Sequence, residues 1–179
     1  MKRKLNMMIL AAAVAAAGVL SARASTITMA MVTVGDPGNA ADTNGYGAVS
    51  YTYQMGKYDV TTSQYAAFLN AVAQTADPYG LYNPNMAPGW ASCGISQSIS
   101  SGTYSYATTK NGNFPVNYVS WGDAARFCNW LQNGQPNGPE GNGTTETGTY
   151  TLSGGTSDAA LMAIIRNPGA TYFIPSEDE

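Results

Sequence analysis

Two thiols and a scatter of carboxylates are the groups in this sequence that could do chemistry, and the complete absence of histidine limits what that chemistry can be. Without imidazole the chain by itself cannot build a His-based metal site or a Ser-His-Asp or Cys-His nucleophile system. It also lacks the usual neutral-pH general base. Cys93 and Cys128 are soft ligands of the kind Cu(I) favours. Cys93 falls in the loop-type stretch Ala91-Ser92-Cys93-Gly94, and Cys128 falls on the inward face of a predicted helix, so structural roles suit them better. A Cys93–Cys128 bridge would close a loop worth about 3–4 kcal/mol in the chain-entropy picture. Among the acids, Asp59 ends a predicted strand, while Asp123 and Glu179 stand where helix-capping acids belong. No two carboxylates have a spacing that argues for paired acid–base work. The Gly/Asn runs are followed by no Lys-Ser/Thr and are not phosphate loops. Asn142-Gly143-Thr144 is a glycosylation acceptor pattern in a loop.

The elements that would position these groups can be read from periodicity. Residues 26–34 alternate weakly and end in the turn cluster 35–39, and residues 49–58 form a second strand with Val49, Tyr51, Tyr53 and Met55 on one face. Thr61 or Thr62 caps a first helix. Thr61 and Gln64 fit a capping box, and Tyr65, Phe68, Leu69 and Val72 form its buried stripe. Residues 76–113 make a long irregular excursion rich in Tyr, Gly, Ser, Asn and Pro, with one short strand at about 103–108. Ser120 caps a second helix that runs to about Gln132, with Asp123 completing the box. Ala124, Phe127, Cys128 and Leu131 form its inward face, and Gly134 stands at the C′ position. Trp121 and Trp130 flank this helix and read as core residues. Trp90, in the long excursion, reads as a packing anchor, with the lining of a substrate groove as the alternative. Residues 133–145 are Gly/Asn/Pro-rich and read as a flexible loop, residues 149–152 and 172–174 as strands, and residues 175–179 as the opening of a further helix capped by Ser176. A helix opening with nothing after it suggests a domain cut short.

The first 24 residues read as an export signal: a basic start at Lys2, Arg3 and Lys4, an apolar run from Met7 to Leu20, and Ala22-Arg23-Ala24 before Ser25. The run is too short and Ala-rich for a comfortable membrane span, and no later stretch could cross a bilayer. Removing the leader takes four of the eight basic residues and none of the eleven acids. Four basic against eleven acidic side chains remain, a net of −7. Lys57, Lys110, Arg126 and Arg166 are scattered, which leaves no stripe for nucleic acid or anionic lipid. The expected organisation is therefore a signal peptide over 1–24 and one domain over 25–179, in a secreted, periplasmic or otherwise extracytoplasmic protein whose cysteines meet oxidising conditions.

Three blocks in order resemble the formylglycine-generating enzyme (sulfatase-modifying factor) family. They are Tyr53-Gln-Met-Gly-Lys-Tyr-Asp-Val-Thr-Thr-Ser-Gln-Tyr-Ala-Ala-Phe-Leu69, Pro115-Val-Asn-Tyr-Val-Ser-Trp-Gly-Asp-Ala-Ala-Arg-Phe-Cys-Asn-Trp-Leu131 and Tyr172-Phe-Ile-Pro-Ser-Glu-Asp-Glu179. Trp121, Asp123, Cys128 and Trp130 are the structural members of the second block. In the third, Phe173 stands where the family usually has Arg, and Ser176 where it has Thr. The resemblance implies a loop-rich α+β domain of C-type-lectin-like fold, of which this is the N-terminal part. It also implies an oxidoreductase that converts a cysteine of an exported sulfatase-like partner to formylglycine with molecular oxygen. The copper held by two cysteine thiolates, and the calcium sites, would take ligands beyond Glu179, so no catalytic, cofactor-binding or metal residue is expected within this segment. The resemblance further implies that Cys128 pairs structurally with a downstream cysteine. A non-catalytic ligand- or protein-binding module on the same scaffold is the alternative. The Tyr/Asn/Ser/Gly-rich residues 76–109 have the chemistry of a recognition surface.

Overall fold

The computed structural model describes residues 26–179; the predicted export signal lies outside the described residues. Local sequence rules place most of the elements. Strand β1 (Met31–Val34) pairs antiparallel with β2 (Tyr53–Gly56), Val32 opposite Met55, and leads to helix α1 (Thr62–Val72). The α1 start is the expected capping box. The Thr61 hydroxyl accepts from the Gln64 amide at 3.2 Å, and the Gln64 side chain accepts from the Thr61 amide at 2.9 Å. After a short 3-10 turn (Pro84–Met86), strands β3 (Ile95–Ser100) and β4 (Thr103–Thr108) form a hairpin. Helix α2 (Trp121–Gln132) follows, and a single turn α3 (Asp158–Leu161) is the last helical element.

One core cluster forms where α1, β4 and α2 meet. Tyr65, Phe68, Leu69 and Val72 are buried as the α1 stripe requires. Phe68 lies edge-on to Phe127, with ring centres 5.4 Å apart, and sits 5.3 Å from Trp130. Asn70 of α1 grips the hairpin, and the Tyr106 hydroxyl adds a bond to the Ala73 carbonyl at the helix end (3.1 Å). The Asn70 amide group donates to the Tyr106 carbonyl at 2.7 Å, and its oxygen accepts from the Tyr106 amide at 3.0 Å. Those two bonds satisfy a strand edge that would otherwise be open. A second, smaller cluster gathers Ala125, Tyr150 and Leu152, with Cys128, Leu161 and Phe173 packed against it.

Helix α2 begins with the Ser120–Asp123 box and ends at Gly134 (φ 80°). The Gln135 amide reaches the Trp130 carbonyl at 2.9 Å, and the Gly134 amide reaches that of Leu131 at 3.1 Å. This is the paired closure that a glycine C′ position permits. Its buried surface is wider than the predicted stripe. Ala124 and Cys128 are only half-buried, whereas Ala125, Arg126, Asn129 and Trp130 are fully buried with Phe127 and Leu131. Trp121, expected in the core, keeps 39% of its surface exposed and leans on Tyr150 at 5.3 Å.

The remaining departures share a cause. Residues 149–152 and 172–174 have strand-like sequences but form no strand: side chains and loop backbone, rather than another strand, take up their backbone groups. Asn129 takes both the amide and the carbonyl of Tyr150, and the Tyr150 hydroxyl accepts from the Ile174 amide at 3.0 Å. Residues 133–145, predicted as a loop, are knitted in the same way. Strand β3 is absent from the sequence reading: its alternating Ser residues carry little hydrophobic signal until paired with β4. The fold is a small α+β architecture with a large share of irregular chain. At its far end Ser176 and Glu179 exchange reciprocal bonds of 3.0 and 3.2 Å, the capping geometry their spacing predicts.

Candidate functional site

The groups with most chemical potential lie beneath α2. Arg126 is fully buried, and its guanidinium forks onto Glu146, with Nε to Oε1 at 2.7 Å and a second nitrogen to Oε2 at 3.2 Å. It also donates to the Gly155 carbonyl at 3.0 Å and stacks on the Tyr79 ring at 4.2 Å. Glu146 completes its set by accepting from the Gly154 amide at 2.7 Å and the Thr145 hydroxyl at 3.2 Å. Every strong lone pair of this buried pair is matched, which is what low-dielectric surroundings require. Beside it, Asn129 donates to the carbonyls of Thr145 and Tyr150 and accepts from the Tyr150 amide at 2.8 Å. The chain at Gly148 (φ 150°) passes so close that an added Cβ would stand 3.1–3.3 Å from Asn129 atoms. A side chain there would push the loop away.

A second pair of acids adjoins this network. Asp77 accepts from the amides of Leu81 (2.7 Å) and Tyr82 (2.8 Å). Facing it is Glu140, whose two oxygens are buried and meet no donor in hydrogen-bond geometry. Burial, reinforced by the Asp77 carboxylate, pushes Glu140 up to about 9. Glu179 goes the other way. Burial raises it, but the Arg166 fork (2.9–3.2 Å) and the Tyr51 hydroxyl outweigh that and bring it down to about 2.

A cleft of about 1010 Å³ opens between the β1–β2 ribbon and α2, lined by Met29, Met31, Met55, Phe127, Leu131 and Phe173 among others. Cys128 lies in its wall. Burial pushes that thiol up to about 12, so it stays protonated and un-nucleophilic at neutral pH. Asp59 is exposed at the cleft edge, and Asp123 is held in its capping box, with burial raising its carboxyl against the Ser120 bonds that lower it.

The sequence-predicted residues are thus spread apart. Cys93 is buried in the first core cluster, its amide held by Asn117 at 3.0 Å, while Cys128 packs against the second cluster; both are free thiols. A two-thiolate copper centre needs two converging sulfurs, and this pair does not fit one. Among the described residues no group of three or more His, Cys, Asp or Glu is placed to hold a metal. Trp130 is core, as expected. Trp90 is not a packing anchor: it is fully exposed, on a loop whose Gly89, Ala91 and Ser92 carbonyls are pinned by Lys110 and Asn117 at 2.8–2.9 Å. The Arg126–Glu146 and Asp77–Glu140 pairs escaped the sequence reading. The charge balance was the available signal. With so few basic residues among so many acids, an Arg in the middle of an apolar helix calls for a buried partner.

Fold and site together define an α+β domain in which the buried Arg126–Glu146 pair and Asn129 hold irregular chain against α2. The chain belongs to the family described as the sulfatase-modifying factor enzyme 1-like domain, whose model matches residues 21–179. No curated protein and no solved structure matches it. No helix among the described residues is long and apolar enough to cross a membrane.

Proposed function

We propose that this chain is the framework part of an exported sulfatase-modifying-factor-type protein on a lectin-related scaffold. The whole protein oxidises a cysteine of a sulfatase-like partner to formylglycine, and this segment does not catalyse. The observation that carries the reading is the family match across almost the entire chain, which brings the three blocks of sequence under one domain. Two features agree with a framework role. The cysteines lie in separate clusters, and the buried Arg126–Glu146 pair bonds to itself and to backbone, not to an open site. No residue here is assigned to the copper or calcium of the family reading, and no step is routed through them.

The test is a mass measurement on a cysteine-containing sulfatase peptide. A longer form that carries the downstream cysteine pair, supplied with copper and oxygen, is expected to convert the thiol to an aldehyde. The absence of conversion by that form would contradict the oxidase reading.

One observation favours a binding module instead. Trp90 is fully exposed on a pinned loop, and Phe114 and Tyr118 keep 50% and 41% of their surface exposed on the segment that Asn117 ties to that loop. Tyr118 holds this position at φ 59°, a conformation unusual for a bulky residue. Loss of partner binding in Trp90→Ala, with the fold unchanged, would support this second reading.

A further inference from the structure

The β1–β2 ribbon has two long edges, and its register fixes which backbone groups they show. The Lys57 amide donates to the Ala30 carbonyl at 2.8 Å, just beyond the ladder in which Met31 lies opposite Gly56 and Thr33 opposite Gln54. In an antiparallel ribbon, hydrogen-bonded and non-bonded residue pairs alternate. Ala30 with Lys57 is a bonded pair, so Val32 with Met55 and Val34 with Tyr53 are bonded too. Gln54 and Gly56 fall between them and turn their amides and carbonyls away from β1. Among the described residues none partners those four groups. The edge they form runs along the large cleft, whose lining holds all four β2 residues but of β1 only Met31. Phe173 stands in the same lining. The amides on either side of it go to Gln132 (3.3 Å) and Tyr150 (3.0 Å), and its own amide has no partner among the described residues.

We infer that this cleft takes an extended, neutral peptide strand of a partner protein, which pairs its backbone with the Gln54–Gly56 edge and sets apolar side chains on the methionines of the lining. The edge presents amide hydrogens and carbonyl oxygens in alternation, and the partner that matches such a row is another extended backbone. Further along the chain such a place is already filled from within. The Thr62 amide donates to the Phe114 carbonyl at 2.8 Å and the Val116 amide to the Val60 carbonyl at 2.9 Å, with Thr61 bridged antiparallel to Pro115. The lining suits apolar side chains of varied shape. Of the five methionines among the described residues, Met29, Met31 and Met55 lie here, and an unbranched thioether adapts to what it meets. Lys57 and Asp59 are the charged residues of the lining, one of each sign and both exposed, so a neutral segment is the match.

A partner's strand fits better than a second copy of this chain. Phe127 and Leu131 of α2 share the lining with the β2 edge, as do Tyr172 and Pro175, so the edge is sunk in a slot. A single flexible strand can enter it, whereas the folded ribbon of another copy would bring its own β1 against α2. A small apolar molecule would cover the methionines but leave the Gln54 and Gly56 groups without partners. The volume of about 1010 Å³ also reaches the top of the range of about 300–1,000 Å³ that small-ligand sites occupy. Strand docking of this kind involves no reaction and does not depend on the oxidase reading.

The test uses the whole chain, labelled at the methionine methyl carbons, and the probe peptide acetyl-Thr-Val-Thr-Phe-Thr-Val-Thr-amide. The Met29, Met31 and Met55 resonances are expected to move on titration. Those of Met86, fully buried in the core, and Met162, 87% exposed and outside the cleft, should stay in place. Hydrogen exchange at the Gln54 and Gly56 amides should slow with peptide bound, and exchange at Met31 and Thr33, on the far edge, should not. Two forms of the peptide, N-methylated at one or the other set of alternate residues, keep the side chains and lose donors. One of them should bind at least about tenfold more weakly. Gln54→Pro removes an edge donor without touching the ladder and should weaken binding several-fold. If that variant fails to fold, the methylated peptides decide. Unmoved methionines, full binding by both methylated forms or by folded Gln54→Pro, or protection of the β1 edge in place of the β2 edge would overturn the inference.

Discussion

Helix α2 has two buried faces that are covered in opposite ways. On one, Phe127, Trp130 and Leu131 meet the α1 stripe and the hairpin in an apolar cluster that any hydrophobic pattern would specify. On the other, buried Arg126 and Asn129, followed by the exposed cap residue Asn133, hold residues 141–155, which form no helix or strand. Asn133 donates to the carbonyls of Thr144 and Thr147 just as Asn129 does to those of Thr145 and Tyr150. The first face is held by area removed from water, which tolerates small misfits. The second is held by directional bonds to backbone groups that have no other partner, so each bond is costly to lose.

The largest effects should come from breaking each face once. Arg126→Ala leaves the Glu146 charge buried without its partner and should cost about 3–5 kcal/mol, read from urea unfolding. Phe68→Ala, on the apolar side, should cost a similar amount, about 3–5 kcal/mol, through the cavity it leaves. Hydrogen exchange would separate the two. Arg126→Ala should deprotect residues 144–155 well before the hairpin, whereas Phe68→Ala should weaken α1, β4 and α2 together. Equal patterns in the two variants would erase the distinction between the faces. Asn129→Ala should come next, about 2–3 kcal/mol, since it orphans the amide and carbonyl of Tyr150. The smallest effect is expected at the hairpin turn. Ser101 and Gly102 both have positive φ (49° and 77°), the geometry that favours Asn-Gly, so Ser101→Asn should stabilise by up to about 0.5 kcal/mol.

The same contrast explains what the sequence could disclose. Both long helices were legible because caps and apolar spacing agree: Thr61 with Gln64 before the Tyr65 stripe, and Ser120 with Asp123 before Phe127. The polar face of α2 was not legible. A helical row of Arg and Asn reads as a solvated face until the chain that wraps it is known, and that chain, residues 133–155, has no period to announce its position. For the same reason residues 149–152 looked like a strand. Their β-type composition is real, but Asn129 rather than a neighbouring strand takes the Tyr150 backbone. At the candidate site the positions of single residues were legible and their partners were not. Asp123 as a cap and Trp130 as core follow from local rules. Glu140 near Asp77, and Trp90 open to solvent, depend on how loops far apart in the sequence come together.

The central claim is that the thiols and buried charges of this chain hold structure and do not react. The most direct measurement incubates the chain, with copper and oxygen, with a cysteine-containing sulfatase peptide, and reads the peptide mass alongside oxygen uptake. The account predicts an unchanged peptide and uptake equal to that of peptide and copper alone. Conversion of the cysteine to the aldehyde by this chain would contradict it.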